Sequence, residues 1–294
     1  MSDSAANLRR KIASGEELWS VVHTMKAMAA SSVGQYENAV RALDDYYHAV
    51  QLGLVACLRQ RDTVLDTTRP LHAEAIGAVV FGSDQGLVGQ FNEAMAEFVV
   101  GTLGGLPGKK IVWAVGERIQ SRLADTGLRL GQPFPLPNSI GAITPLLGHV
   151  LTELEARREK GEIAQVVLFH HRPEKGATCS PVSQRLLPLD DQWRRDLGRL
   201  PWPSGNLPEV MNGFASTFLS FVREYLFVSL FRACADSLAS ENASRLAAMQ
   251  RAEKNIEELL EDLKRTFHQQ RQGSIDEELF EVIAGFEALS ATRG

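Results

Sequence analysis

FASTFLSFVREYLFVSLFRACADSLASENASRLAAMQRAEKNIEELLEDLKRTF, residues 214–267, contains no proline and repeats apolar side chains in steps of three and four. The repeat is broken at Arg232, Asn242 and Glu253. Such a repeat is typical of a coiled-coil helix. A helix from about residue 211 to 289 is roughly 115 Å long, which exceeds a compact domain. The apolar positions are Phe214, Phe218, Phe221, Tyr225, Val228, Ala235, Ala239, Leu246, Met249, Ile256, Leu260, Leu263 and Phe267.

The first 60 residues carry a second repeat of the same kind, which is missed at Gly15 and Lys26. A helix from about residue 5 to 60 is roughly 80 Å long, and its apolar stripe needs a partner helix. Because the nearest partner is the other flank of the chain, we expect an antiparallel pair. The apolar positions are Leu8, Ile12, Trp19, Val22, Ala29, Val33, Tyr36, Val40, Leu43, Tyr47, Val50 and Leu54.

Proline separates the two flanks from the middle of the chain. All twelve prolines lie between Pro70 and Pro208, so both flanks lack the residue that interrupts helices. The sequence therefore predicts an N-terminal coiled-coil helix in residues 1–69, an α/β domain in 70–208 and a C-terminal coiled-coil helix in 209–294.

Short apolar runs rich in β-branched residues occur in the middle part and predict strands. The runs are AIGAVVFG (75–82), KKIVWAV (109–115), IAQVVLFH (163–170) and the late candidate PVSQRLLPL (181–189). Helical patterns alternate with them near residues 90–101, 117–125 and 144–160, and Thr144 with Pro145 predicts the start of the third helix. This alternation favours a small, largely parallel, Rossmann-like sheet. The predicted fold class is α/β, with a long antiparallel coiled coil formed by the terminal helices.

Composition and charge exclude several classes of protein. The formal net charge of −5 is modest and mixed in sign, which argues against nucleic-acid binding. Cys57, Cys179 and Cys234 are far apart in sequence, as expected in a reducing compartment rather than in a disulfide framework. The start of the chain has no apolar leader, and no run of about 18 uncharged apolar residues follows, so we expect neither export nor a membrane span.

FGSDQGLVGQFN, residues 81–92, follows a predicted strand and precedes a predicted helix, as phosphate-binding loops do. It lacks the GxGxxG spacing, and it lacks the lysine and hydroxyl of a P-loop. We therefore interpret it as a tight structural turn in which Gly86 and Gly89 supply backbone freedom and Asp84 or Asn92 caps free amides.

No other motif indicates catalysis or metal binding. His170 and His171 lie near Glu174, but adjacent strand residues point to opposite faces, so we interpret the histidines as solvated loop residues. GxSxG and HExxH are absent. From its motifs the chain is predicted to be no enzyme, with no cofactor and no metal site.

Three stretches resemble the gamma subunit of F-type ATP synthases. LRRKIASGEELWSVVHTMKAMAASSV (8–33) is similar to that family's N-terminal helix, and SDQGLVGQFN (83–92) to its S-D-R-G-L-C-G-G-L-N motif. ASENASRLAAMQRAEKNIEELLEDLKRTFHQQRQGSIDEELFEVIAG (239–285) is similar to its C-terminal helix. The resemblance spans essentially the whole chain.

The resemblance implies a central rotor stalk that runs inside a hexamer of three alpha and three beta subunits. The α/β middle domain would face the epsilon subunit and the membrane c-ring, so contact with the membrane is only indirect. Catalysis would occur on the beta subunits, and the chain would lie peripherally at the cytoplasmic face of a bacterial inner membrane.

The resemblance also implies candidate partner-contact residues. Arg245 and Gln272 match positions that hydrogen-bond to beta-subunit loops, and Met25 matches a methionine that faces the same region. Taken without the resemblance, Arg245 and Gln272 are ordinary solvated helix residues and Met25 is a seam residue.

Four positions depart from the family pattern. They are Ser32 and Gln85, where the family has lysine and arginine, Val88, where it often has cysteine, and Asp276, where it has threonine. The changes at Ser32, Gln85 and Asp276 alter charge at stalk contacts, which is compatible with the hypothesis of a divergent, alternative ion-translocating F-type ATPase.

Two hypotheses from other classes stay open from the sequence. One is a free-standing α/β enzyme that binds a metabolite or nucleotide and oligomerises through coiled-coil arms. The other is a structural adaptor that dimerises through its own flanks. Ligand binding by residues 70–208 would favour the enzyme, and homodimerisation would favour the adaptor.

Overall fold

The computed structural model describes residues 2–60, 75–174, 179–189, 191–206 and 213–291. It divides into two compact units. The terminal unit comprises Met1–Met28 with Leu246–Gly294, and the central unit comprises Ala29–Arg245. The predicted boundaries near residues 69 and 208 lie outside the described residues and stay predictions.

Two long helices account for both proline-free flanks. Helix α1 runs over Ser2–Gln60 and helix α6 over Phe214–Ala291. Every apolar position predicted for the two repeats is buried or partly buried, and none is exposed. The long helices predicted from the 3–4 repeat are confirmed.

The two helices pair antiparallel in each unit. In the terminal unit Trp19 Nε1 donates to Glu257 at 3.0 Å. Gly15, four residues before Trp19, lies against Leu260, three residues after Glu257. In the central unit Arg232 contacts Asp44 at 3.2 Å, and Tyr225 stacks on Tyr47 with ring centroids 5.8 Å apart. Residue numbers rise on one helix as they fall on the other, which confirms the predicted antiparallel coiled coil.

The central unit contains a four-stranded sheet in the order β2-β1-β3-β4. The strands are β1 (Ile76–Phe81), β2 (Lys110–Val115), β3 (Gln165–Pro173) and β4 (Cys179–Leu187). Strand β1 is parallel to β2 and to β3, whereas β4 is antiparallel to β3. The predicted small, largely parallel sheet is confirmed.

Four shorter helices surround this sheet. They are α2 (Phe91–Gly104), α3 (Glu117–Ala124), α4 (Ile140–Glu159) and α5 (Asp191–Gly198). One face of the sheet packs with Leu54 of α1, Leu147 of α4 and Leu238 of α6. The other face packs with Met95 of α2 and Ile119 of α3. Burial on both faces explains why the parallel strands are continuous apolar runs rather than alternating ones.

The start of α4 differs from its prediction. The helix begins at Ile140, so Thr144 and Pro145 lie inside it instead of at its first turn. Proline removes one amide donor, which would otherwise bond to the carbonyl of Gly141. Burial of Ile143 and Leu147 on the same face outweighs that single loss. Helix α5 was not predicted.

One segment of α6 is apolar enough to span a membrane by length and composition. Within Phe214–Ala284, 18 consecutive residues reach a mean hydropathy of 1.3 with at most two charged side chains. A core helix has the same composition, and Phe218, Tyr225 and Leu230 are buried in the apolar core of the central unit. One third of the 18-residue window is buried, and partly buried residues such as Phe221 pack against the same core.

Candidate partner-contact site

Arg245 lies at the end of the central unit's part of α6 and is mostly covered. Its Nη2 donates to Glu241 Oε1 at 2.7 Å, and its Nη1 donates to Asn242 Oδ1 at 3.4 Å. The side chains of Arg245 and Glu241 are only 14% and 5% exposed. Since a guanidinium carries five N–H donors, these two bonds leave others for a partner.

The Glu241 carboxylate lies in a crowded electrostatic environment. Burial raises its pKa, the Arg245 guanidinium acts in the opposite direction, and the Asp84 carboxylate raises it further. The pKa of Tyr36 on α1 is also raised, first by burial and then by the charge of Glu241. Arg245 therefore supplies the counter-charge for a carboxylate among groups from α1, α6 and the turn after β1.

The turn after β1 is held by its own side chains. Asn92 Oδ1 accepts from the Ser83 amide at 3.1 Å, and Asn92 Nδ2 donates to Ser83 Oγ at 2.8 Å. Asp84 Oδ1 accepts from the Glu117 amide at 2.9 Å, so it caps the first residue of α3. The amides of Ser83 and Glu117 are thus occupied within the chain.

The two glycines named from the sequence differ in conformation. Gly89 has a φ of 63°, in the left-handed region, whereas Gly86 is not among the residues with positive φ. Leu87 takes a φ of 63° instead, and its side chain is 61% exposed. A Cβ at Gly86 would meet nothing within 4 Å.

Two glycines that sequence reasoning missed have tighter surroundings. A Cβ at Gly82 would overlap Ile119. At Gly116, with a φ of 116°, a Cβ would lie 2.8 Å from the Ser83 carbonyl oxygen. These positions allow the turns after β1 and β2 to approach each other closely. Gly82 is the last residue of the predicted run 75–82 and Gly116 directly follows the predicted run 109–115, and a glycine at the end of a predicted strand is the signal that could have identified them.

Met25 lies in the terminal unit and is partly buried. It packs on a cluster formed by Val22, Met249, Ile256 and Leu260. Its neighbours along the outer face of α1 are apolar but exposed. They are Leu18, Val21 and Met28, at 54%, 55% and 66%.

Gln272 is exposed on the surface of α6. It lies 12 residues beyond Leu260, the last α6 residue of the Met25 cluster, which is about 18 Å along the helix. The terminal unit therefore does not bring Met25 and Gln272 together. Apolar side chains follow Gln272 on this helix, all at least 46% exposed. They are Ile275, Leu279, Phe280, Val282 and Ile283.

The two adjacent histidines are core residues, so their interpretation as solvated loop residues was wrong. Both lie within β3, His170 at 2% and His171 at 1% exposure. Their rings point to opposite faces of the sheet, where His171 stacks on Phe91 with ring centroids 3.9 Å apart. Burial lowers the pKa of His170 to about 4 and that of His171 to about 3, so both are neutral at pH 7. The strand ends at Pro173, three residues beyond the end of the predicted run at residue 170, so both histidines lie inside it.

The sequence of this chain is similar to those of known ATP synthase proteins. The sequence profile of the family described as "ATP synthase" matches residues 4–289. The ATP synthase gamma chain of Glaesserella parasuis serovar 5 is 26% identical over 293 residues, covering 97% of this chain and 99% of that one. The ATP synthase gamma chain of Methylibium petroleiphilum is 28% identical over 299 residues, with 96% and 98% covered.

Solved structures share the fold. A chain of the Euglena gracilis mitochondrial ATP synthase, in the OSCP/F1/c-ring structure of rotational state 3, superposes with a TM-score of 0.67 at 16% identity. That match covers 100% of this chain and 97% of the other. A chain of the central stalk and c-ring structure of the Tetrahymena thermophila mitochondrial ATP synthase gives a TM-score of 0.56 at 20% identity, covering 79% and 99%.

Proposed function

The chain belongs to the gamma-chain family of ATP synthases, and from this membership we propose that it is the central rotor stalk of an F-type ATP synthase. Rotation driven by ion flow would turn the stalk inside a hexamer of three alpha and three beta subunits. An asymmetric shaft presents different side chains to each beta subunit, so it biases each toward a different nucleotide affinity.

The uncovered end of α6 is the observation that carries this proposal. In the terminal unit Arg9 of α1 lies over the ring of Phe267, 5.3 Å from its centroid. From His268 to Ala284 every described side chain of α6 except Ser274 is exposed, including the five apolar residues named above. Contiguous exposed apolar side chains mark a surface that another protein covers. The proposed hexamer of alpha and beta subunits would surround this end of α6 and bury these side chains.

We place catalysis on the beta subunits and none on this chain. The glycine turn supports this assignment, because Asn92 and Asp84 accept from the amides of Ser83 and Glu117. The turn is thus stabilised as architecture, with Gly86 and Gly89 as parts of its backbone.

Three residues are proposed to contact beta-subunit loops. Gln272 is exposed and offers both a donor and an acceptor. Arg245 keeps donors beyond those used for Glu241 and Asn242. Met25 borders the exposed apolar face of α1, and its flexible thioether suits a surface that repacks against successive partners.

The central unit is proposed to bind the epsilon subunit and the membrane c-ring. The solved ATP synthase assemblies with chains of this fold include c-rings. The complex would thus be membrane-associated, with this chain at the cytoplasmic face of a bacterial inner membrane.

Native mass spectrometry of the complex purified from its own cells tests the proposal. One copy of this chain with three alpha and three beta subunits is the expected mass. A free monomer that binds a nucleotide would favour the enzyme hypothesis, and a homodimer would favour the adaptor. Either result would overturn the stalk assignment.

The departures at Ser32, Gln85, Val88 and Asp276 raise a second question, which complementation answers. We propose that the chain serves a divergent, alternative F-type ATPase. It should then fail to restore growth in a strain that lacks its ordinary gamma subunit. Full rescue with the standard alpha and beta partners would contradict this part of the proposal and leave the stalk assignment intact.

A further inference from the structure

Lys26 on α1 and Glu253 on α6, one break from each apolar repeat, meet in the terminal unit. Lys26 Nζ contacts the two carboxylate oxygens of Glu253 at 2.5 and 2.8 Å. His23 Nδ1 lies 2.8 Å from the same carboxylate. The side chains of Lys26 and Glu253 are 28% and 13% exposed, so the pair lies inside the seam and not at its edge.

Apolar layers surround this pair. Val22 on α1 and Met249 and Ile256 on α6 are buried in one cluster with Leu260. The other break on α1 is matched as well, because a Cβ at Gly15 would lie 2.7 Å from Leu260 Cδ2. Each break on α1 therefore faces an α6 side chain that complements it, by charge at Lys26 and by volume at Gly15.

Sliding the helices by one heptad would destroy this match. Lys26 would then face Leu246 or Leu260, which lie seven residues before and after Glu253, instead of Glu253 itself. A partly buried ammonium and a partly buried carboxylate would then lie unpaired beside apolar side chains, which is unfavourable. Parallel self-pairing fails for the same reason, since it sets Lys26 against Lys26, or Glu253 against Glu253.

We propose that Lys26 and Glu253 form a register lock, which restricts α1 and α6 to one antiparallel alignment with each other. A seam ion pair adds little stability over apolar residues, whereas a single polar layer specifies register and partner. His23 holds the carboxylate in place, and Lys26 first and His23 second keep the pKa of Glu253 below its usual range. In a rotor stalk, one fixed alignment keeps the two helices from sliding under torque.

Pulsed electron paramagnetic resonance, which measures the distance between two spin labels, tests the register lock on the full chain. Spin labels at Glu17→Cys and Arg251→Cys, both exposed positions, report the alignment when the three native cysteines are replaced by alanine. A slip of one heptad moves one label by about 10 Å along the helix axis. The native pair should give one distance.

The decisive variant is Lys26→Leu with Glu253→Leu. It should raise Tm by about 2–5 °C and add a second population shifted by about 10 Å. The exchanged pair, Lys26→Glu with Glu253→Lys, should keep a single distance. A single distance in the double-leucine variant, or two in the exchanged variant, would overturn the proposal.

An exposed ion pair between the same helices is the matched control. Lys264 Nζ contacts Glu16 at 2.7 Å, and the two side chains are 50% and 54% exposed. Glu16→Ala with Lys264→Ala should leave a single distance. A second population in this control would show that any interhelical ion pair sets the register, which contradicts a role specific to the seam.

Discussion

Arg245 Nη2 donates to Glu241 Oε1 at 2.7 Å across one turn of α6, and the carboxylate it neutralises is only 5% exposed. The proposed contact with a beta subunit would therefore use a guanidinium that also has a structural task. Effects of replacing Arg245 on the assembled complex have to be separated from effects on the folding of this chain.

Arg245→Ala should lower the free energy of unfolding by about 2–4 kcal/mol at pH 8, because it leaves a buried carboxylate without its counter-charge. The loss should be smaller at pH 5, where Glu241 can take up a proton instead. Denaturant titrations at the two pH values measure it. Arg245→Met with Glu241→Leu should recover most of the loss; an equal loss in this double variant would contradict the electrostatic cause.

Gln272→Ala should leave Tm unchanged, because the side chain is exposed. It should lower ATP hydrolysis by the reconstituted complex about 2–10-fold, the effect of one lost hydrogen bond. Gln269→Ala, at another exposed glutamine of α6, is the control and should retain full activity. Equal activity of the two variants would remove Gln272 from the proposed interface.

The buried histidines should make the fold lose stability in acid. Burial lowers the pKa of His170 to about 4 and that of His171 to about 3, against 6.5 for the ordinary side chain. The unfolded chain therefore binds more protons, so stability present above pH 6.5 falls as the pH drops toward 4. Each histidine contributes a slope of about 1.4 kcal/mol per pH unit. His171→Phe should reduce the slope between pH 6 and 4.5, and an unchanged slope would exclude this origin.

Asp236 should act in the opposite direction. Burial raises its pKa from 3.8 to about 6, although Arg232 and Arg172 oppose the change. Its contribution to stability is complete below pH 3.8 and is lost as the pH rises through 6. The side chain introduced by Asp236→Asn cannot ionise. The Tm of this variant minus the Tm of the native chain should therefore be larger at pH 7 than at pH 4. Calorimetry at both pH values would reveal it, and a constant difference in Tm would count against a raised pKa.

The two kinds of glycine in the turn should respond differently to alanine. Gly82→Ala forces a methyl group into Ile119 and should destabilise the chain by about 1–3 kcal/mol or more. Gly86→Ala meets nothing within 4 Å and should change stability by about 0.5 kcal/mol or less. Chemical denaturation of both variants tests the contrast, which similar losses would refute.

The long helices were predictable because their signal repeats over many residues. A 3–4 apolar repeat without proline leaves few alternatives to a paired helix, and α1 and α6 begin and end within a few residues of the predicted bounds. The three parallel strands were predictable for a related reason, since burial on both faces requires continuous apolar runs.

Features that depend on distant packing were not predictable. His170 and His171 are polar residues at the end of an apolar run, and only the neighbouring α2 and β4 reveal that the strand continues through them. Gly82 and Gly116 are 34 residues apart, so their close approach follows from strand pairing. The pairing of Lys26 with Glu253 needs the alignment of two helices more than 200 residues apart.

The candidate site was reached by resemblance rather than by chemistry. An arginine and a glutamine on a helix carry no signal of function in a single sequence, and their pattern alone indicates a solvated face. The structure distinguishes the two residues: Arg245 is mostly buried against Glu241, whereas Gln272 is exposed.

The exposed apolar end of α6 also bears on how the cell makes this protein. Ile275, Leu279, Phe280 and Val282 are 52–71% exposed, so a newly synthesised copy without partners displays an adhesive helix. Chaperones and proteases act on such surfaces. The cellular amount of this chain should therefore follow the supply of the subunits that cover the helix, and orphan copies should be short-lived.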